Sequence, residues 1–586
     1  MRIVMSNPKH PLYQPGFHAG LMMVCLLATT LQSHADNLRK NQNEATLTPS
    51  YSINLDLDYR EAKFTGTEKV KIHNTSRDEI DQINFHLYPN AGLLDEDPPC
   101  LSVQRITLDG RELRFTSRPR QTLLKAELPF KLQPGQSLEL KLDFSGRLPR
   151  IQREEASLLA HFLQEVNDAV SEERTLRDSR DIFFAAEEAM LLGYFYPVLA
   201  VRSSQLSEQS LVGGVGGVIF SDAADYEVSV TTDAVATIIG SGAKTEVKDF
   251  HAATDPSRPR KLHVFKGEKL RGFGLAIVER VKSVERQVRK TRVVSYFREG
   301  DDRLGNRALD IVADAVEAYS QAFGEYPYPQ LQIVELPLPA GNSGADLPSL
   351  IAMAQAYYID FDTTKAARLP SVLSEQADII KTSFEFSIAN GVARQWWGGI
   401  VGSDSERTPY LNEGLASYSA VYYHEATYGK NTGEMMLKQQ LQGTYQAYRM
   451  LGGVDMEADK PAKDFRNPLQ FTAIVQAKSA LMFSELRKEL GDQKFFEALK
   501  AYFAANRFRI VTVDQLRGAF LNAADDPRDV RLLFQRWLRE KRGDEDIGAP
   551  DLTLMAPSVS KIRALGRVFV KIGKTAAKPF NPEAKP

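Results

Sequence analysis

Cysteine, tryptophan and histidine are the scarce residues of this chain, 2, 3 and 9 of 586. Cys25 lies in an apolar N-terminal stretch. Removal of that stretch leaves Cys100 alone, which excludes a disulfide framework within the remaining chain. Charge of one sign is also missing: 73 basic against 75 acidic residues give a net charge of −2. Nothing in that balance points to nucleic acid. Past the N-terminus no run of roughly eighteen apolar residues occurs, so no transmembrane segment is expected in the processed chain. What stands at the N-terminus is shorter. Arg2, Lys9 and His10 precede the apolar run Ala19–Leu31, and Ser33-His34-Ala35 has the small-x-small form of a cleavage site. Residues 1–35 therefore read as a signal peptide cleaved after Ala35, which implies export to the periplasm or secretion. The alternative is an uncleaved anchor.

The length suggests roughly two to four domains. From Ser50 the pattern alternates, with Tyr51, Ile53, Leu55 and Leu57 set against polar neighbours. Similar alternation recurs at 65–73, 82–88 and 137–144, punctuated by Asn74-Thr75-Ser76 and Pro134-Gly135. Alternation of this kind predicts half-buried strands in an antiparallel sandwich. The Gly213–Gly217 run lacks the Lys-Ser/Thr ending of a phosphate loop and reads as a hairpin tip. Near Thr291 the pattern changes. Val293–Phe297 reads as a strand, 304–323 as a helix and Leu331–Leu336 as a strand, and helices dominate from about 371 to 541. The expected division is a polar disordered lead-in at 36–47, a β-sandwich at 48–285, a mainly helical domain at 286–545 and a basic tail at 546–586. No internal repeat is visible.

The chemistry concentrates in two segments. Asn390-Gly391-Val392-Ala393-Arg394 is followed nineteen residues after Arg394 by Glu413, within Leu411-Asn412-Glu413-Gly414-Leu415-Ala416-Ser417-Tyr418. This layout resembles peptidase family M1, the gluzincin aminopeptidases and leukotriene hydrolases, whose pattern is His-Glu-x-x-His followed by a Glu in an Asn-Glu-Gly segment. The resemblance covers most of 48–540. It implies a multidomain α+β architecture, with a saddle-like N-terminal antiparallel β-sandwich followed by a thermolysin-like, mainly helical catalytic-type domain. Phe85–Asn90, Gly193–Pro197 and Tyr226–Val230 match the family's sheet domain, and Gly324–Tyr328 matches its catalytic domain.

Residue by residue, the frame persists and the chemistry departs. Asn390 and Arg394 stand at the two histidine positions, Gly391 at the catalytic glutamate, and Glu413 alone is kept of three metal ligands. Arg394 stays protonated and offers only donors, and Gly391 has no side chain. The amide oxygen of Asn390 suits calcium better than zinc. The spacing aims Arg394 at Glu413, where its guanidinium would stand in for the metal cation. Histidines 73, 86, 161, 251, 263 and 424 remain. His424 lies about 16 Å along the helix from Glu413, too far to share one zinc ion, and reads as a surface residue. The resemblance also places Asp346 where the family binds a substrate's amino terminus, and Gln476 where it has an oxyanion-supporting Tyr.

The resulting expectation is an exported aminopeptidase-like pseudoenzyme without zinc or other cofactor. Asp346, Glu413 and Arg394 would serve in binding a peptide or protein partner. Trp396 and Trp397 read as core residues. An alternative is repurposed, non-zinc chemistry drawing on Asp346, Glu385, Glu406, Glu413 and Tyr410. Residual metallo-aminopeptidase activity is the third reading.

Overall fold

The computed structural model describes residues 47–548, apart from 94–96, 118–121, 171–178, 202–214, 218, 251–257 and 364–373. The expected signal peptide, nearly all of the polar lead-in, most of the basic tail and the start of the Gly213–Gly217 run lie outside the described residues.

The N-terminal part is built from three sheets. An eight-stranded sheet runs in the order Ala243–Phe250, Arg260–Leu270, Ala224–Asp233, Leu47–Asp58, Lys63–Asn74, Ser137–Arg147, Leu101–Leu108 and Arg111–Glu112. Its pairs are antiparallel except that Leu47–Asp58 runs parallel to Ala224–Asp233, a departure from the expected antiparallel sandwich. Alternation in Leu47–Asp58 has its expected cause: Tyr51, Ile53, Leu55 and Leu57 are buried and their neighbours face outward. Two four-stranded sheets complete the body, one containing Ala189–Gly193 and Gly274–Val278, the other Ile80–His86 and Leu123–Leu132. Aromatic edges fill the space between layers. Phe64 of the large sheet meets Phe183 and Phe195 edge-on, with centroids 6.1 and 6.4 Å apart. Tyr51 stacks on Tyr226 at 4.8 Å, and Tyr196 donates to the Tyr226 hydroxyl at 2.9 Å.

One carboxyl sits inside this layer. Glu68 is fully buried, and neither of its oxygens has a hydrogen-bond partner among the described residues. Burial pushes its pKa well above the ordinary carboxylate value. A group whose folded pKa is raised stabilises the fold at pH below its unfolded value, and that contribution disappears as pH rises through the folded value. Glu68→Met is therefore expected to be more stable than the parent chain at alkaline pH, with the gain shrinking toward acid. Denaturant titrations across pH measure this, and a gain independent of pH would contradict it.

The second part begins with a five-stranded mixed sheet ordered Val281–Val288, Thr291–Arg298, Gln330–Leu336, Leu350–Ala354 and Gly344–Leu347. The expected boundary at 285/286 falls inside the first of these strands. The preceding strand, Gly274–Val278, belongs to the other body, so the change of sheet comes at Glu279–Arg280. The periodicity of Val281–Val288 cannot reveal which sheet the strand joins, because an edge strand is half-exposed in either.

Four helices matter for the site: α1 (Leu158–Val170), α2 (Asp302–Ala322), α3 (Ala377–Trp396) and α4 (Tyr410–Tyr428). Helix α3 buries Ile380, Phe384, Ile388, Val392 and Gln395 at a three-to-four-residue repeat, and in its last turns Ala389, Ala393 and Trp396 are buried as well, so that this end is covered on more than one face. It ends at Trp397, where Gly398 takes φ 107° and turns the chain. Trp396 and Trp397 are core residues, as expected, with 0% and 1% exposure. Their indole nitrogens donate to Gly324 O at 2.9 Å and Ser419 Oγ at 3.0 Å.

A buried guanidinium joins the two parts. Arg271, at the end of the strand Arg260–Leu270, donates to Ser221 O at 2.6 Å, Gly399 O at 3.2 Å and Arg509 O at 3.2 Å. Three carbonyls from remote segments are satisfied at once, as burial of polar backbone requires.

Candidate binding site

The site is assembled from four elements. Helix α3 supplies Asn390, Gly391 and Arg394, and α4 supplies Glu413 in its first turn. The edge strand Gly344–Leu347 supplies Asp346. A π-helical turn, Thr472–Lys478, supplies Gln476. Each placement has a local cause. Residues 390 and 394 are one turn apart and share a face. Helix α4 comes close to the helix beginning at Ser479 because residue 414 is glycine: a Cβ there would stand only 2.3 Å from Ser479 Oγ. The wider π turn, a form often found at functional sites, carries both Gln476 and Lys478.

Arg394 is the hub. Its Nε donates to Asn390 Oδ1 at 2.9 Å, and its Nη2 donates to Glu413 Oε2 at 2.5 Å. Gln476 Nε2 donates to the same Glu413 oxygen at 2.8 Å. The contact expected from the helix spacing is thus present. Asp346 Oδ2 stands 3.6 Å from Arg394 Nε, an ionic contact too long for a hydrogen bond. The Glu413 side chain is 4% exposed, whereas those of Arg394 and Asp346 keep 28% and 20%. The pair is therefore anchored in the interior and open along one edge.

Electrostatics follow the geometry. Burial raises the Asp346 pKa above the ordinary carboxylate range; Arg394 opposes the shift and Glu413 adds to it. Burial alone would lower the pKa of Arg394, but Glu413 and Asp346 outweigh it and hold the guanidinium more firmly protonated.

Asp346 also explains Gly391. A Cβ at residue 391 would lie 2.7 Å from Asp346 Oδ1 and 3.2 Å from Ile351 Cγ2. The carboxylate from the edge strand occupies the space that any side chain on α3 would need. The hairpin carrying it is fixed by Gln395, the next residue after Arg394. Gln395 Oε1 accepts from Ser349 N at 2.9 Å, and its Nε2 donates to Leu347 O at 3.1 Å.

Residues 307–537 match the peptidase family M1 domain. Over that span the chain is similar to M1 peptidases. Aminopeptidase N of Lactococcus lactis is 28% identical over 241 residues, 40% of this chain and 26% of that protein. Aminopeptidase N of Lactobacillus helveticus is 29% identical over 240 residues, with the same two coverages. The match therefore spans about a quarter of the length of these curated relatives. The crystal structure of an M1 zinc metallopeptidase from Deinococcus radiodurans superposes with a TM-score of 0.54 at 16% identity, over 85% of this chain and 95% of that one. A point mutant of that metallopeptidase bound to Tyr-Ser-Ala gives 0.53 over the same 85% of this chain. The fold is thus that of the M1 aminopeptidases, a sheet-rich part followed by a helical domain.

The remaining candidates lie elsewhere in the matched region. Glu385 accepts from Tyr423 OH at 2.8 Å and Tyr428 OH at 2.6 Å and pairs with Arg307 at 2.7 Å. Glu406 has its pKa raised by burial and by Asp404. Neither contacts Arg394 or Glu413 among the described residues. Tyr410 is fully buried. His424, expected at the surface, is 3% exposed, with its ring 6.2 Å from that of Phe386; a helix with two covered faces hides polar residues that periodicity would place outside. Two features escaped the sequence reading. Lys478 is 1% exposed, with Nζ on Asp455 Oδ1 at 2.8 Å, Met456 O at 2.9 Å and Glu540 O at 3.0 Å. The interlocking of Gly391 and Asp346 joins residues far apart in sequence. A glycine in the middle of a predicted helix was its only sign.

Proposed function

We propose that this chain is an exported M1-like protein that holds ligands by a free amino group and does not hydrolyse peptides. The observation that carries the reading is the Arg394–Glu413 contact at 2.5 Å. Family M1 implies zinc bound by two histidines and a glutamate, with one coordination position left open. The residues present here do not fit that ion. Asn390 Oδ1 already accepts from Arg394 Nε. Arg394 cannot ligate a metal. Gly391 offers no base, and its side-chain space is filled by Asp346. Gln476, at the oxyanion-supporting position, is turned onto Glu413. Export is inferred from the basic and apolar residues at the head of the sequence.

Asp346 supports the binding half of the reading. It makes no hydrogen bond among the described residues, is partly exposed, and lies beside a cation that it does not fully engage. A ligand ammonium would supply the missing donors. The test is titration of the full chain with Tyr-Ser-Ala and with N-acetyl-Tyr-Ser-Ala, while following peptide bond cleavage. Acetylation is expected to weaken binding about 10- to 100-fold, the worth of a charged hydrogen bond, with no cleavage of either peptide. Chelator-sensitive hydrolysis of Tyr-Ser-Ala would overturn the inactive reading, and equal affinities would overturn the role of Asp346.

A further inference from the structure

The sheet-rich part carries a cleft of its own, outside the residues that match the M1 domain. It lies on the outward face of the eight-stranded sheet and has a volume of about 440 Å3, within the range of about 300–1,000 Å3 usual for small-molecule sites. Its floor is a cross-strand row: Thr65, Ser145 and Ser102 stand opposite one another on three neighbouring strands and all line the cleft. Two residues along, on the same face, Lys63 stands opposite Arg147. The residues between point the other way. Phe64 is buried, and Gly146 rests on it, since a Cβ there would stand 2.6 Å from Cys100 O and closer still to the Phe64 ring. The floor is thereby fixed by the core beneath it.

The charges of this cleft are unevenly satisfied. Asp58, the strand neighbour of Lys63, is held by Arg258 at 2.7 and 3.1 Å and by the amides of Arg60 and Glu61 at 3.1 Å. Asp56, opposite Thr65, is held by Arg260 at 2.7 and 3.1 Å, but its side chain stays 55% exposed and can accept further bonds. The two cations have no comparable partner. Arg147 forms no ion pair among the described residues and gives Nη2 to Pro98 O at 2.9 Å. Lys63 has Glu61 at 3.9 Å, with the two side chains 65% and 66% exposed, a contact of little worth. Like charges directly opposite on paired strands are unfavourable, and no described carboxylate lies within ion-pair reach of both. Thr65 and Ser102 make no side-chain hydrogen bond among the described residues. Ser145 Oγ accepts from Gln104 Nε2 at 2.8 Å and keeps its own proton to donate.

We infer that this cleft binds an anionic sugar, its phosphate or carboxylate received by Lys63 and Arg147 and its hydroxyls by Thr65, Ser145, Ser102 and Asp56. An anion set between the two cations relieves their repulsion through charge-assisted bonds. The cleft has room for more than a bare anion, and what surrounds the anion position is hydroxyl and carboxylate, the groups that exchange hydrogen bonds with a polyol. A base or other flat ring finds no aromatic face, because Phe64, the one aromatic residue of the lining, is 3% exposed. The reading is independent of the Asp346 site and of its ligand.

The experiment is calorimetric titration of the full chain with glucose 6-phosphate, glucuronate, glucose and inorganic phosphate. At least one of the two charged sugars is expected to bind about tenfold or more tightly than glucose and than phosphate alone, the worth of one charge-assisted bond. Which of the two binds more tightly tells phosphate from carboxylate. Glucose binding as tightly as the charged sugars overturns the anion assignment. Inorganic phosphate binding as tightly as the better sugar overturns the sugar. Absence of binding by both charged sugars overturns the whole inference. Arg147→Gln is expected to weaken the better sugar about tenfold, and an unchanged affinity would overturn the placement of the ligand. Arg147 is exposed and its removal leaves no buried charge unpaired, so the variant is expected to fold; Lys63→Gln tests the same placement independently.

Discussion

Arg394→Leu is expected to cost the fold about 3–5 kcal/mol, the range for removing one partner of a buried ion pair. The cost falls on Glu413, whose side chain is 4% exposed. Its carboxylate would keep the bond from Gln476 but lose its counter-charge, and a buried unpaired charge is among the most expensive defects a core can hold. Adding Glu413→Gln to Arg394→Leu should recover most of the stability, because neither charge then remains. Denaturant unfolding of the two single variants and the double variant measures the coupling. A loss under about 1 kcal/mol for Arg394→Leu, typical of a solvent-exposed pair, would mean that Glu413 finds water and that the guanidinium is not its essential partner.

Restoring the family's residues should not by itself restore a metal. The triple variant Asn390→His, Gly391→Glu, Arg394→His rebuilds the ligand set together with Glu413. It also forces a side chain into space where a Cβ alone would meet Asp346 Oδ1 at 2.7 Å. Forced insertion of this kind displaces neighbours and costs typically about 1–3 kcal/mol. Adding Asp346→Ala clears the space. Zinc affinity, read by competition with a chromogenic chelator, is expected to be about 10- to 100-fold higher in the quadruple than in the triple variant, the effect usual for groups that orient metal ligands. Equal affinities would show that Asp346 moves aside freely and that its interlock with Gly391 is incidental.

These two expectations also mark what could be read from the chain alone. The burial of Tyr51, Ile53, Leu55 and Leu57 was legible because side chains of a strand alternate between faces. The one-turn spacing of residues 390 and 394 was legible for the corresponding helical reason. The contact of Arg394 with Glu413 needed one further assumption, that the two helices pack as the family's do. Helix α1 went unread, although Leu158, His161, Phe162 and Glu165 carry helical spacing, because polar residues interrupt its apolar ones and leave a weak signal. The parallel pairing of Leu47–Asp58 with Ala224–Asp233 joins segments separated by most of the N-terminal part, and no local pattern encodes a partner. The same holds for Lys478 with Asp455, where the decisive fact is burial of both charges. Local periodicity reports which face is covered; it does not report by what.

The three carbonyls gathered by Arg271 set a limit on motion. Ser221 belongs to the sheet-rich part, and Gly399 and Arg509 to the helical domain. Hinge opening between these parts would break the bonds to Gly399 and Arg509 together, each worth about 1.5–3 kcal/mol for a charged donor. Breathing of the cleft is thereby diverted to its smaller pieces, the Asp346 hairpin and helix α1, whose ties to their neighbours can be exchanged for water one at a time. Entry and exit of a ligand would then be a rearrangement of a few residues at the rim, with the two large bodies standing still.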